Sequence, residues 1–241
     1  MASDEITSWP SGLLEAFAAI GAATAHECQG RTGALSASLK PLAKTMRVCG
    51  PAYTLRLAAG DNLGVHYAIK FARPGDVVVI DANDYFEAGP FGEILALAAK
   101  KRGLGGLVTT GSIRDSERIR EMNFPVFCKG VSMKGTAKEA LPQTDIPIVL
   151  DGVNVHPGDL ILGDADGVVV VRRDQAAHVL EKSLQREASE KAALSQVEAG
   201  AIPWDLLDLD RNFTRLSESH RESRRLFGYS KTGSAAGAAS C

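Results

Sequence analysis

The chain is poor in residues that announce chemistry by themselves. Its five histidines, His26, His66, His156, His178 and His220, stand singly, without HxxxH or HxH spacing. Its four cysteines, Cys28, Cys49, Cys128 and Cys241, form no CxxC pair. A His/Cys metal centre is therefore not expected, whereas free thiols in a cytoplasmic protein are. The GxSxG elbow of a Ser/His/Asp hydrolase is missing. GLGG at 103–106 has neither the length nor the lysine of a phosphate-cradling loop, and GDADG at 163–167 lacks the downstream glutamate of a calcium loop. No apolar run approaches the roughly 18 residues that a membrane helix needs. MASDEITSWP shows no basic region followed by an apolar one, so no secretion signal is expected. A formal net charge of −2 gives no reason to expect nucleic acid or an acidic membrane as a partner.

What remains is an ordinary core-forming composition: 241 residues, 45% hydrophobic and 23% charged, enough for one large domain or two small ones. Helical spacing of apolar residues runs through 11–30, 63–72, 91–103, 116–122 and 174–199. Strands are expected at 49–57, 77–80, 107–110, 124–131 and 146–150. Residues 155–173 read as a hairpin turning at Asp166-Gly167. The Pro74-Gly75 step favours a type II turn ahead of the buried run Val77–Ile80. Strand–helix–strand alternation over 75–127 implies parallel pairing, and the hairpin implies antiparallel pairing. The fold class is therefore α/β with a mixed central sheet. Trp204, Leu206 and Leu207 open a C-terminal region expected to dock on the body or on a partner subunit, and the Gly/Ala/Ser tail is expected to be disordered.

The stretch GGLVTTGSIRDSERI (105–119) ends a buried strand on an adjacent cation and anion, Arg114 and Asp115. One reading is structural: Asp115 caps the helix beginning at Ser116, and Arg114 lies in solvent. The other is a site, because α/β sheets bind ligands at the carboxyl ends of their strands. The helix opened by Pro90-Phe91-Gly92-Glu93 favours the second. The N–H groups of Glu93, Ile94 and Leu95 are expected to be unpaired, and a helix N-terminus beside an arginine receives a small carboxylate.

ATAHECQGRTG (23–33), GPAYT (50–54), GDNLGVHYAI (60–69), FGEILALAAKKRGLGGLV (91–108), SIRDSERIREMNFPVFCKG (112–130) and VHPGDLILGDADGVVVV (155–171) together resemble the RraA-like family, and within it the class II pyruvate aldolases. The family's acidic residue, twenty intervening positions and Arg-Asp are matched by Glu93 and Arg114-Asp115. The resemblance implies a swivelling β/β/α-type domain over 1–200 with a helical extension over 201–241. It implies retro-aldol cleavage of 4-carboxy-4-hydroxy-2-oxoadipate or 4-hydroxy-4-methyl-2-oxoglutarate to pyruvate, with oxaloacetate decarboxylation as a side activity.

In this likeness Asp115 anchors Mg2+ (or Mn2+ or another divalent ion), and Gly92, Ile94 and Leu95 form the carboxylate-binding turn. Arg114 faces the keto oxygen, and Glu93 acts through a water on the C4 hydroxyl. Glu190, or failing it Glu187, enters from a neighbouring subunit of a trimer or hexamer. Two departures stand out: Thr110 where the family has aspartate, and AIPWDLLDLDRNF in place of Gly-Glu-Leu-Gly-Leu-Asp after the long helix. His26, Glu27 and Arg31 have at most a place on the pocket rim. Two other readings remain open: a Schiff-base aldolase using Lys129, and a non-catalytic regulator acting by protein contact, as relatives do on RNase E.

Overall fold

In the computed structural model, which describes residues 9–226, the first helices are α1 (Leu13–Ala19) and α2 (Ala22–Cys28). They precede strands β1 (Lys40–Pro41) and β2 (Val48–Arg56). Three strand–helix crossovers follow: α3 (Leu63–Phe71), β3 (Val77–Asp81), α4 (Glu93–Lys101), β4 (Gly106–Ile113), α5 (Ser116–Glu121) and β5 (Val126–Val131). Next come β6 (Gln143–Thr144), β7 (Ile148–Leu150), β8 (Val153–Val155), β9 (Leu160–Gly163) and β10 (Val168–Val171). A 3-10 turn (Arg173–Gln175) leads into α6 (Ala176–Glu198), then α7 (Pro203–Leu206) and α8 (Leu209–Leu226). The chain divides into two compact units, 1–187 and 188–241.

The main sheet runs β1-β5-β4-β3-β2-β9-β10, with β6 added to β2. Strands β2 to β5 are parallel, and β1, β6, β9 and β10 join antiparallel, so the mixed α/β class read from the sequence holds. Why β3 opens on the continuous apolar run Val77–Ile80, and β4 on Leu107 and Val108, is clear from their two faces. Val78, Ile80 and Leu107 point into the layer of α3, α4 and α5, whereas Val77, Val79 and Val108 point toward Ile148, Leu150 and Val155. A strand covered on both sides has no polar face to alternate with. Each such side chain contributes roughly 1.5–3 kcal/mol through burial. A third cluster packs Phe17, Ile20 and Ala25 of the first helices on Leu160, Leu162, Val169 and Val171.

The expected hairpin turning at Asp166-Gly167 is present, its strands spanning 160–171 within the expected 155–173. Residues 153–155 form a separate hairpin with 148–150. Asp151 and Gly152 turn this hairpin with φ of 52° and 81°, the positive pair that a tight two-residue hairpin requires. Only β9 and β10 form the later hairpin, closed by the Asp164 N–H donating to the Gly167 carbonyl at 3.0 Å. Strand β4 also outruns its expected end at Thr110. After an irregularity between Thr109 and Ser112 it continues, pairing Ser112 with Gly130 and Ile113 with Val131. Cys28, Cys49 and Cys128 are free thiols, as expected. Burial pushes the Cys49 and Cys128 thiols up to about 11. Cys241 and the Gly/Ala/Ser tail lie outside the described residues. In the C-terminal unit Trp204 packs on Phe213, their ring centroids 6.1 Å apart.

The segment after β5 is held to the start of α3 by one buried carboxylate. Asp61 Oδ1 accepts from the Leu63 N–H at 2.8 Å, and Oδ2 accepts from Glu139 and Ala140 at 2.6 and 3.1 Å. Burial pushes this carboxyl up, but the three backbone donors together outweigh it and hold it below its ordinary value. A depressed carboxylate contributes stability above its unfolded pKa that is lost as pH falls through the folded one. Asp61→Asn turns an amide toward N–H donors, with an expected cost of about 1–3 kcal/mol in denaturant titrations at pH 7. The gap between the two proteins should close as the titration is repeated below pH 4.

Candidate active site

Three loops at the carboxyl ends of β3, β4 and β5 meet around Arg114 and Asp115. The entry to α4 is extended: Gly92 has φ −141° and ψ −169°, and the helix begins at Glu93 rather than at Phe91. Glycine is required here by contact rather than by conformation. A Cβ on Gly92 would lie 2.5 Å from Asp115 Oδ2 and 3.0 Å from Arg114 Cγ and Nε. At Gly89 it would lie 2.7 Å from Arg114 Cβ and 2.5 Å from the Ser132 carbonyl. The 89–92 turn therefore rests directly on the Arg-Asp pair. The Arg114 N–H donates to the Phe91 carbonyl at 2.9 Å, and the Asn62 amide donates to the Pro90 carbonyl at 3.0 Å.

Asp115 stands at the N-cap of α5 with φ 54° and ψ 36°, a left-handed conformation that aspartate tolerates better than most residues. Its side chain does not cap α5. Oδ2 instead accepts the Glu93 N–H of α4 at 3.0 Å and lies 3.5 Å from Arg114 Nε. The capping reading of Asp115 is thus overturned, and so is the expectation that the Glu93 N–H is unpaired. Ile94 and Leu95 remain as first-turn donors with no intrahelical acceptor, because the helix ladder starts with Ala96 donating to Gly92. The Phe91 carbonyl already serves Arg114.

Arg114 and Asp115 are about two-fifths exposed, at 42% and 40%, so both face an open cleft and a ligand can reach them. Glu93, Glu117, Arg118, Val131 and Met133 line the same cleft. Sequence reasoning missed the last four of these. The signal was the parallel neighbourship of β4 and β5, which brings residues after Lys129 beside those after Ile113. Donors in the cleft are carboxylate oxygens, which suit a hard cation retaining waters and substrate oxygens. Among the described residues no group of three or more His, Cys, Asp and Glu converges as a complete metal cage.

The other candidates lie elsewhere. Thr110 is buried, and its Oγ1 accepts the Ala82 N–H at 3.0 Å, tying the end of β3 to β4. Lys129 is nearly buried and bonded to Asp84 at 3.0 Å and to Asp151. Burial pushes its ammonium down, but these two carboxylates outweigh that and hold it above its ordinary value. It acts as a charged clamp between Asp84 and Asp151. His26 bonds the Thr32 carbonyl at 2.9 Å, and Glu27 pairs with Arg31 at 3.0 Å, a local cluster at the end of α2. Glu187 accepts the Gly21 N–H at 3.5 Å at the head of that helix. Glu190 is an exposed residue of α6, in the C-terminal unit.

Comparison with known proteins gives a consistent picture. A family model described as RraA-like, Aldolase/RraA, matches residues 11–170. A protein of Halalkalibacterium halodurans named "Putative 4-hydroxy-4-methyl-2-oxoglutarate aldolase" is 40% identical over 158 residues, covering 66% of this chain and 75% of its own length. A Burkholderia mallei protein of the same name is 32% identical over 157 residues, covering 64% of this chain and 94% of its own. Among solved structures, Streptomyces coelicolor RraAS2, described as an unusual member of the RNase ES inhibitor RraA protein family, superposes with a TM-score of 0.70. Its identity is 29%, covering 78% of this chain and all of that one.

The contact at Gly92 is directly testable. Gly92→Ala should cost about 1–3 kcal/mol through overpacking. The Glu93 N–H should lose its hydrogen-exchange protection, whereas Gly135→Ala, where a Cβ meets nothing within 4 Å, should leave both quantities unchanged.

Proposed function

The chain belongs to the RraA-like, Aldolase/RraA family, and we propose that its cleft cleaves a 4-hydroxy-2-oxo acid to pyruvate and a second carbonyl compound. The class includes the compound in the relatives' name. One observation carries the reading: Asp115, Arg114 and the first turn of α4 converge on one open cleft, joined by the Glu93 N–H to Asp115 bond. Such a set serves the enolate-forming half of an aldol cleavage. The N–H groups of Ile94 and Leu95 hold the substrate carboxylate at the positive end of α4. Arg114 donates to the 2-keto oxygen, whose charge grows as the C3–C4 bond breaks, so its hydrogen bond strengthens toward the transition state.

The electron pair of that bond passes into C3 and onto the keto oxygen. The C4 hydroxyl loses its proton as the new carbonyl forms, and Glu93 takes up that proton, directly or through a water. Protonation of C3 then releases pyruvate. Asp115, with the Oδ1 oxygen not used by Glu93, is the residue that would hold a divalent cation, Mg2+ or Mn2+. When bound, that ion supplies Lewis-acid polarisation of the keto group. Oxaloacetate decarboxylation passes through the same enolate and is expected as a side activity. A trimer or hexamer in which Glu190 of a neighbouring copy completes the cleft belongs to this proposal, with Glu187 as the alternative residue. Glu187 already serves its own α2.

Pyruvate release from a panel of 4-hydroxy-2-oxo acids and oxaloacetate should disappear with EDTA and return with magnesium or manganese. Asp115→Asn should lower kcat by about 100-fold or more while the protein stays folded, the scale on which a lost electrostatic contact acts. An unchanged rate in that variant, together with retained binding of a protein partner, would favour the regulator reading suggested by RraAS2. Borohydride with pyruvate should leave the protein unlabelled, because Lys129 stays protonated between Asp84 and Asp151. A Lys129-dependent adduct would establish Schiff-base chemistry in place of metal chemistry.

A further inference from the structure

Granted the retro-aldol reading, the cleft itself bears on which acid is cleaved. Beyond the residues assigned to the pyruvyl half, its walls are of two kinds. On the β5 side stand Val131 and Met133, 57% and 92% exposed. On the α5 side stand Glu117 and Arg118. Arg118 is the cation of this wall, and acids accompany it: Glu121 bonds it at 2.9 Å, and Glu93 and Glu117 line the same cleft. An exposed pair such as Arg118–Glu121 is weak and easily opened. The surrounding charge is what matters, since a second anion reaching Arg118 approaches three carboxylates at once. The neighbour's Glu190, if it enters as proposed above, adds a fourth. Lys134, three residues after β5, is paired with Glu87.

We infer that the cleft selects a 4-hydroxy-2-oxo acid bearing one carboxylate, with an uncharged, apolar substituent at C4, over a substrate carrying a second carboxylate there. The single carboxylate binds the head of α4, and Arg114 keeps the 2-keto oxygen. The C4 substituent lies along Val131 and Met133, where burying apolar surface on both sides favours binding. A carboxylate in the same place gives up water against two apolar side chains and meets the Glu117–Arg118–Glu121 wall, which repels it. The chemical step is unchanged: the C3–C4 bond breaks, its electrons form the pyruvate enolate, and C4 leaves as an aldehyde or ketone. The compound in the relatives' name is a dicarboxylate.

The test compares kcat/KM of the full-length protein with magnesium for 4-hydroxy-2-oxohexanoate and for 4-hydroxy-4-methyl-2-oxoglutarate, by product release per cleavage. The monocarboxylate should be favoured by about tenfold or more, the scale that an unpaired, repelled charge imposes. Met133→Lys, at a position too exposed to threaten folding, should shift the ratio toward the dicarboxylate by about fivefold or more, and Glu117→Gln should shift it in the same direction. Preference for the dicarboxylate by the unaltered protein overturns the inference while leaving the lyase reading standing. Cleavage of neither compound, with or without metal, removes both. If Met133→Lys instead changes the mass seen by light scattering and leaves the ratio alone, Met133 belongs to a contact between copies and the inference fails.

Discussion

Everything at the cleft depends on one hydrogen bond, from the Glu93 N–H to Asp115 Oδ2. It crosses from the head of one helix to the N-cap of the next and converts two successive crossovers into one rigid corner. An aspartate at the start of α5 would ordinarily bond the N–H groups of its own helix. Here a left-handed backbone swings the carboxylate back to α4, and the vacant Cβ position of Gly92 lets it arrive. The result is an anion held where a helix dipole favours it, with Arg114 alongside and one carboxylate oxygen still open to a cation. In the proposed function, the substrate carboxylate and the metal would be linked through this common residue pair.

Around that corner the sheet supplies rigidity. Phe91 packs on Phe124 with ring centroids 6.0 Å apart, so the segment before the active turn is anchored in the same apolar layer as the strand entry of β5. Thr110 and Asn62 fix the backbone on either side, one through the Ala82 N–H and one through the Pro90 carbonyl. On the opposite face Lys129 joins β5, the loop after β3 and the β7–β8 turn through Asp84 and Asp151. A buried ammonium with two carboxylate partners is costly to break by removing one member. Loop ends that carry no regular structure are in this way pinned to three strands.

Legibility in the sequence followed the strength of local signals. The run VVVI was unmistakable because burial on both faces leaves it wholly apolar, and LVTT was read from its apolar start. The spacing from Glu93 to Arg114-Asp115 placed the corner correctly, since it depends only on one helix and one strand of ordinary length. The β7–β8 hairpin escaped because its strands are three residues each, too short for alternation to show, although Asp151-Gly152 is a strong turn signal. The partner of Asp115 could not be read, because whether a carboxylate caps its own helix or a neighbour's is decided by one φ angle. Val131 and Met133 escaped for a different reason: they are apolar and exposed, and periodicity assigns such residues to a core or to nothing.

The short separation between Glu93 and Asp115 has a kinetic meaning. The corner closes a loop of about two dozen residues, within a single strand–helix–strand unit. By contrast, pairing β2 with β9 brings Pro51 opposite Leu160, more than a hundred positions away. Loop-closure entropy rises with separation, so this corner closes at a lower entropic cost than the β2–β9 pairing. The bond that shapes the cleft is thus among the less costly tertiary contacts for the unfolded chain to form.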